Sequence, residues 1–405
     1  MRIAKRVARG DEWAMLLTCQ SGYETFLARE LEGVFVRVAE RGPGWVRTEE
    51  TDGRQPTGPK EGGEPGAQGE KAPQASAPAA EAAWLGGLAF AHLSLLAPVA
   101  VRGESVNALA QGVVDFFLAS LRGERVETTW PCVWRGPQEI VGLGRRLGSV
   151  EAAFGELLGK KLRRVAKLAV GNVQPPASGL RHRAAAGGAA RGLFVFFTDF
   201  GRALVAREAW VHGQRRMADD DLAPSRSYLK MEEAYGVLGR EPQAGETVVD
   251  LGAAPGGWSY SAAKRGARVV AVDNGPLKGG ALNHPLIEHR LADAFGFRPS
   301  CAMTPEFAAP GGGAVATGEL ADWLFCDVVE EPHHVLKNLV GPWLEGRWCR
   351  RFVVNFKFGR ADPLGLLREL RGAESAFVRH AAWFAVRHLY HDREEFTVVG
   401  ETRTE

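Results

Sequence analysis

The chain has 405 residues, 45% of them hydrophobic, and a formal net charge of +2. It is long enough to expect two domains with sizeable cores, and too nearly neutral for net charge alone to name a nucleic-acid partner. Five cysteines (Cys19, Cys132, Cys301, Cys326 and Cys349) form no CxxC pair. No run is apolar enough to span a bilayer, so a disulfide framework, a zinc site and a membrane span are all disfavoured, and a reducing cytoplasm fits.

The N-terminus, Met1–Arg6, is basic but lacks the apolar segment of a secretion signal. Trp13 to Cys19 reads as a strand, and Gly22 to Phe35 as a helix with Phe26, Leu27, Leu31 and Val34 on one face. From about Thr48 to Ala83 the composition collapses to Gly, Pro, Ala, Glu, Gln and Lys. Such a stretch cannot bury enough apolar surface to offset its ordering entropy, and a disordered insertion over 48–83 is expected.

Structure resumes at Trp84, with a strand between Leu88 and Val101 and a helix over Val106 to Leu121. A second helix is expected from Val150 to Leu168. There Lys160, Arg163, Arg164 and Lys167 fall at i, i+3, i+4 and i+7, a basic stripe suited either to solvent or to RNA phosphates. Leu158, Leu162 and Val165 lie on its packing face. A loop with Arg181-His182-Arg183 and a strand at Leu193–Phe197 complete a compact α+β half. The polar stretch Gly213 to Ala223 reads as a connection, which divides the chain into 1–212 and 213–405.

The second half alternates strand and helix, with strands ending at Asp250, Asp273, near Asp293, at Asp327 and at Lys357. This predicts an α/β domain with a parallel, Rossmann-like sheet. Met303 to Glu319, with Gly311-Gly312-Gly313, reads as a loop insertion. The stretch Val248 to Trp258 reads as a strand, a small-residue turn (Gly252-Ala253-Ala254-Pro255-Gly256-Gly257) and a helix start with free N–H groups. The spacing is not the dinucleotide fingerprint. Asp273 ends the next strand, where a carboxylate can bind ribose hydroxyls, and Asp293 can accept from an adenine amine. Strand-end acids without phosphate-binding cations favour S-adenosylmethionine over NAD. Trp258 is expected to pack beside the ligand. Cys326 reads as a buried thiol, and His333-His334, His388 and His391 lack the partners of a metal site.

Four isolated charges remain: Lys230, Asp327, Lys357 and Glu395. Ser227 reads as an N-cap, which puts Lys230 in the first helical turn, where the dipole disfavours a cation. Asp327 and Lys357 close apolar strands, and Glu395 opens one. Each alone fits a solvated strand edge; four around the ligand-binding edge of one sheet suggest catalysis. A lysine can act as a base at neutral pH only if burial or a second cation lowers its pKa, which Lys230 and Lys357 are expected to do for each other. The residues do not order the two lysines.

The block Asp250 to Trp258, with Lys230, Asp327, Lys357 and Glu395, resembles the FtsJ-type RNA 2′-O-ribose methyltransferases and their K-D-K-E tetrad. The segments Ala223–Ala234, Val272–Pro276, Cys326–Glu330 and Leu389–Glu395 are similar to the bacterial 23S rRNA cytidine 2′-O-methyltransferase M family. The likeness is dense in the second half and loose in the first. It implies S-adenosylmethionine as cofactor, held around Ser225, Gly252, Ala253, Pro255, Gly256, Gly257, Trp258, Asp273, Asp293 and Asp327. It also implies an N-terminal ferredoxin-like segment with a THUMP RNA-binding domain, and ribosomal RNA as partner. By the same resemblance Lys357 is the base, Lys230 its helper, and Glu395 rather than Glu394 the tetrad acid. The 48–83 insertion departs from the family pattern. Methylation of a base nitrogen is disfavoured, since Asp327-Val328-Val329-Glu330 lacks the Pro-Pro that holds a planar amine. A non-catalytic RNA-binding assembly factor remains the alternative.

Overall fold

The computed structural model describes residues 14–49, 83–121, 123–171, 187–298, 320–359 and 361–403. Outside them lie Met1–Arg6, nearly all of the expected insertion, Arg181-His182-Arg183, Cys301 and the Gly311–Gly313 loop. The chain forms two compact units, which divide between Gly213 and Gln214. Among the described residues no helix is long and apolar enough to cross a membrane.

The first unit is built on strands β1 (Met15–Thr18), β2 (Val38–Gly42), β3 (Trp45–Thr48), β4 (Leu93–Leu96), β5 (Val99–Arg102), β6 (Trp130–Arg135), β7 (Ala169–Val170), β8 (Gly188–Asp199) and β9 (Arg202–Val211). They run in the order β2-β3-β1-β4-β9-β8-β6-β7, with β5 also on β9. The helix Val106–Ser120 starts where Ser105 accepts from the Ala108 N–H, and it buries Leu109, Val113, Val114 and Phe117.

Three sequence expectations change here. Thr48 belongs to β3 rather than to the insertion: it is buried, and its hydroxyl accepts from Met15 N at 2.9 Å. The β2–β3 hairpin escaped the pattern because Glu40, Arg41 and Arg47 blur its alternation. The basic stripe does not lie on one helix. Its helix is Leu143–Lys161, the chain leaves helical geometry at Leu162 (φ −140°, ψ 65°), and a separate turn follows at Arg163–Ala166. Tertiary pairing overrides the periodicity: Trp130 Nε1 donates to Val165 O at 2.9 Å, and Trp130 N to Leu168 O at 3.0 Å. Lys160, Arg163, Arg164 and Lys167 are all exposed.

The second unit carries β10 (Thr247–Leu251), β11 (Arg268–Val272), β12 (Ile287–Arg290), β13 (Ala321–Cys326), β14 (Cys349–Lys357), β15 (Ala381–Arg387) and β16 (Glu395–Thr402). Their order is β12-β11-β10-β13-β14-β16-β15. The first five strands are mutually parallel; β16 runs antiparallel to both β14 and β15. Strand order reverses at β10, with β11 on one side and β13 on the other. In a doubly wound sheet that reversal opens a crevice at the C-terminal strand ends.

Helix Tyr228–Leu238 packs on this sheet through Tyr228, Met231, Ala234, Tyr235 and Leu238, in a cluster with Trp258, Trp323 and Phe325. It is locked to the helix Gly257–Ala263 by Arg265, which donates to Glu232 Oε1 and Oε2 at 2.7 Å each; Ser261 Oγ adds a bond at 2.7 Å. This bidentate pair fixes the helix that carries Lys230. Arg265→Ala strands a mostly buried carboxylate and is expected to cost about 3 kcal/mol, read as a lower urea midpoint. An unchanged midpoint would show that the pair does not hold the two helices together.

Candidate functional site

The turn after β10 is close-packed against its own chain. Gly252 (φ +76°) and Gly256 (φ +104°) adopt left-handed backbone. A Cβ on Gly252 would lie 2.9 Å from Val328 Cγ2, one on Gly256 2.5 Å from Ala281 Cβ, and one on Gly257 2.9 Å from the hydroxyls of Ser225 and Ser227. A side chain at any of these three positions would meet the protein's own atoms. Several N–H groups expected to be free are also taken. Ala254 N donates to Asp273 Oδ2 at 3.0 Å, and Gly256 N to Ala253 O at 2.6 Å. Ala253, Gly256, Gly257 and Trp258 are buried, while Gly252, Ala254 and Pro255 are partly exposed. Trp258 is a core residue: its indole donates to Ser227 O at 3.0 Å, and its ring meets Phe325 edge-on at 6.2 Å. Ser227 makes no side-chain cap; its hydroxyl pairs with that of Ser225 at 2.7 Å. Sequence reasoning passed over Ala254, whose N–H fixes Asp273.

Asp250, Asp273 and Asp327 sit at the ends of the neighbouring strands β10, β11 and β13. Asp273 is half-buried and takes a second N–H, from Gly275, at 2.7 Å. Asp250 is fully buried. Ser259 Oγ donates to its Oδ2 at 2.6 Å, and its Oδ1 has no hydrogen-bond partner. Burial, reinforced by the charges of Asp327 and Asp273, pushes the Asp250 carboxyl up to about 7. An unpartnered buried carboxyl oxygen among acids suits a cationic ligand, and S-adenosylmethionine carries a sulfonium and an ammonium. Asp293 is different. It lies beyond β12, exposed, with Oδ1 held by Phe295 N at 3.1 Å.

Lys230, Asp327, Lys357 and Glu395 come together. The Lys357 ammonium bonds Asp327 Oδ1 at 2.9 Å and Asp327 O at 3.0 Å. Lys230 Nζ is paired with Glu395 Oε1. β14 and β16 create the juxtaposition: Lys357 lies opposite Glu395 in the antiparallel register, and Asn355 opposite Thr397. Glu394 is exposed and Glu395 buried. Lys230 is not depressed as expected. Burial opposes the Lys230 charge, but the carboxylates of Asp327, Asp392 and Glu395 outweigh it and hold that lysine above its ordinary range. The Lys357 side chain is the more open, at 24% exposure against 12% for Lys230.

The sequence reading missed the groups behind these four. Asn355 is fully buried, and its Nδ2 donates to Asp327 Oδ1 at 3.0 Å and to Glu395 Oε2 at 3.1 Å. Glu233, also fully buried, accepts from the N–H groups of Arg215, Tyr390 and His391 at 3.0–3.2 Å, and burial pushes its carboxyl well up. Two acids in the helical run Lys230-Met231-Glu232-Glu233-Ala234, amid apolar neighbours, were the available signal. Cys326 is buried, and burial pushes its thiol up to about 12, as an inert core cysteine requires.

Residues 223–337 match the FtsJ-like methyltransferase family. This FtsJ-like region includes the turn after β10, Asp273, Lys230 and Asp327, while Lys357 and Glu395 lie beyond it. The chain is also similar to two proteins named ribosomal RNA large subunit methyltransferase M. The one from Halorhodospira halophila is 41% identical over 197 residues, 47% of this chain and 51% of the relative. The one from Laribacter hongkongensis is 39% identical over 221 residues, 51% of this chain and 57% of the relative. The chain thus spans about half the length of the curated relatives it matches. The sheet of the second unit and this match together give a Rossmann-type methyltransferase fold.

Asp250 yields a pH test. Between the usual carboxylate range and about 7 the folded protein keeps a proton that the unfolded chain has lost, so Asp250 lowers stability as pH rises through that window. Asp250→Asn removes this slope. The melting temperature of the variant, relative to wild type, is expected to rise between pH 5 and 8, by the equivalent of roughly 3 kcal/mol. A difference that stays flat with pH would place the proton elsewhere.

Proposed function

We propose that this protein transfers a methyl group from S-adenosylmethionine to a ribose 2′-hydroxyl of ribosomal RNA, specifically a cytidine of 23S rRNA. The observation that carries the reading is the pairing of Lys357 with Asp327 and of Lys230 with Glu395, beside the acids that end β10 and β11. The similarity to proteins named ribosomal RNA large subunit methyltransferase M supports the choice of RNA. The first unit serves as the RNA-binding part, of ferredoxin-like and THUMP type, with Lys160, Arg163, Arg164 and Lys167 contacting phosphates. The four reduced, buried cysteines Cys19, Cys132, Cys326 and Cys349 fit the cytoplasm.

The bound cofactor supplies an electrophilic methyl on sulfur. Asp273, with the partly exposed Gly252, Ala254 and Pro255, would hold it, with the buried Asp250 behind the turn. Lys357 would take the proton of the ribose 2′-hydroxyl that receives this methyl. Asp327 fixes that amine through two hydrogen bonds. Lys230, whose pKa is held up, remains a cation and steadies the developing oxyanion with Glu395 behind it. Catalysis is then positioning plus proton removal.

Lys357→Ala and Lys357→Arg are both expected to lower methylation of undermodified large-subunit RNA by about 1,000-fold or more, because a guanidinium cannot act as base. Lys230→Arg keeps the cation and should retain measurable turnover. The measurement is mass spectrometry of 2′-O-methylcytidine, with calorimetry confirming that the variants still bind cofactor. Full activity in Lys357→Arg would rule out that lysine as the proton acceptor.

A further inference from the structure

Asn355 occupies a position that no catalytic role has yet claimed. Its side chain is fully buried and donates to both carboxylates of the constellation. A primary amide has two N–H donors on one nitrogen. Here both are spent, one on Asp327 Oδ1 and one on Glu395 Oε2. Each of those carboxylates in turn holds one ammonium: Asp327 that of Lys357, Glu395 that of Lys230. The amide is therefore the link between the two ion pairs.

An amide has two faces of nearly the same shape. Were Asn355 flipped, its oxygen would confront two carboxylates, and both would lose a donor in a dry site. Its direction is set from across the sheet. Thr397, its register partner on β16, lies with Oγ1 3.4 Å from Asn355 Oδ1 and 3.1–3.2 Å from both oxygens of Asp392. Asp392 is also buried, and takes Leu389 N at 2.8 Å. A threonine hydroxyl has a single hydrogen. Given to Asp392, it leaves the amide oxygen without a donor; given to Asn355, it fixes the amide.

Resting on the function proposed above, we infer that Asn355 is the positioning residue that couples the two lysine–carboxylate pairs, with Thr397 and Asp392 setting the direction of its amide. Burial and the nearby Glu395 push the Asp392 carboxyl up to about 8, so at neutral pH Asp392 keeps a proton to donate to Thr397 Oγ1. The hydroxyl hydrogen is then free for Asn355 Oδ1. One directional chain runs from Asp392 through Thr397 and Asn355 to Asp327 and Glu395. The charged and titratable groups that face it are Asp327 from the end of β13, Lys357 from β14, Glu395 from β16, and Lys230 and Glu233 from the helix Tyr228–Leu238, Glu233 acting on Asp392.

The test uses the full-length protein and ribosomal RNA lacking the modification. Asn355→Asp keeps the shape but replaces two donors by a third anion. It is expected to lower kcat about 100-fold while KM for RNA and Kd for cofactor stay within about 3-fold, and to move the acid limb of the pH–kcat profile to higher pH. Thr397→Val should lower kcat about 10-fold, and Thr397→Ser should restore it. Unchanged kcat and pH profile in Asn355→Asp would overturn the inference. So would a parallel loss of cofactor binding, which marks a merely structural residue. If Asn355→Asp does not fold, the valine–serine contrast at Thr397 decides. Wild-type protein that methylates no ribose would remove the parent reading; wild type active with Asn355→Asp equally active would remove this inference alone.

Discussion

The second unit depends on making a buried charge cluster tolerable. Taking an ammonium or a carboxylate out of water costs several kcal/mol, and attraction to a partner repays this only when geometry is good and remaining hydrogen-bond capacity is filled. Here the antiparallel β14–β16 ladder supplies the geometry. It sets Lys357 opposite Glu395 and Asn355 opposite Thr397, so residues two apart on each strand share one face of the sheet. The Lys230–Glu395 pair, the Lys357–Asp327 pair and the Asn355 bridge all follow from that register. A slip of one residue would turn both Asn355 and Lys357 to the opposite face.

The sign of the local field follows from the same inventory. Against two lysines stand Asp250, Asp273, Asp327, Asp392 and Glu395. The surplus of acid is visible in what burial does to it: the carboxyls of Asp250 and Asp392 are pushed up to about 7 and about 8. Such a site resists phosphate and welcomes positive charge, consistent with a sulfonium donor in the crevice where strand order reverses. The backbone of the proposed RNA substrate would be held elsewhere, which gives a separate basic surface a reason to exist.

Sequence alone carried the second unit far. Strand-end acids are easy to read because parallel strands are near-continuous apolar runs, and a charge that closes one stands out. Asp250, Asp273, Asp327 and Lys357 were visible for that reason. Asn355 was not: an amide inside Val353-Val354-Asn355-Phe356 has no periodic signature, and its importance lies in two partners 28 and 40 residues away. The turn glycines were legible as special, but not the neighbours that require them: Val328, Ala281 and the serines at 225 and 227, brought there by the fold, would meet any added Cβ. In the first unit the local pattern failed where tertiary bonds prevailed. Trp130 draws the chain out of the helix at Leu162, and no helical periodicity could show it.

The two lysines differ in environment rather than in chemistry, and this separates their roles. Lys230 is the more enclosed, yet the carboxylates of Asp327 and Glu395 hold its charge in place. A group so stabilised as a cation is a poor proton acceptor and a good fixed charge. Lys357 stands at the more exposed end, on the strand whose last residue opens toward solvent, with its amine aimed by the Asp327 carbonyl and carboxylate. A substrate hydroxyl approaching from solvent meets Lys357 first. In the proposed reaction, the order that the residue pattern left open matches where the sheet places each amine: the accessible one for proton transfer, the enclosed one for charge.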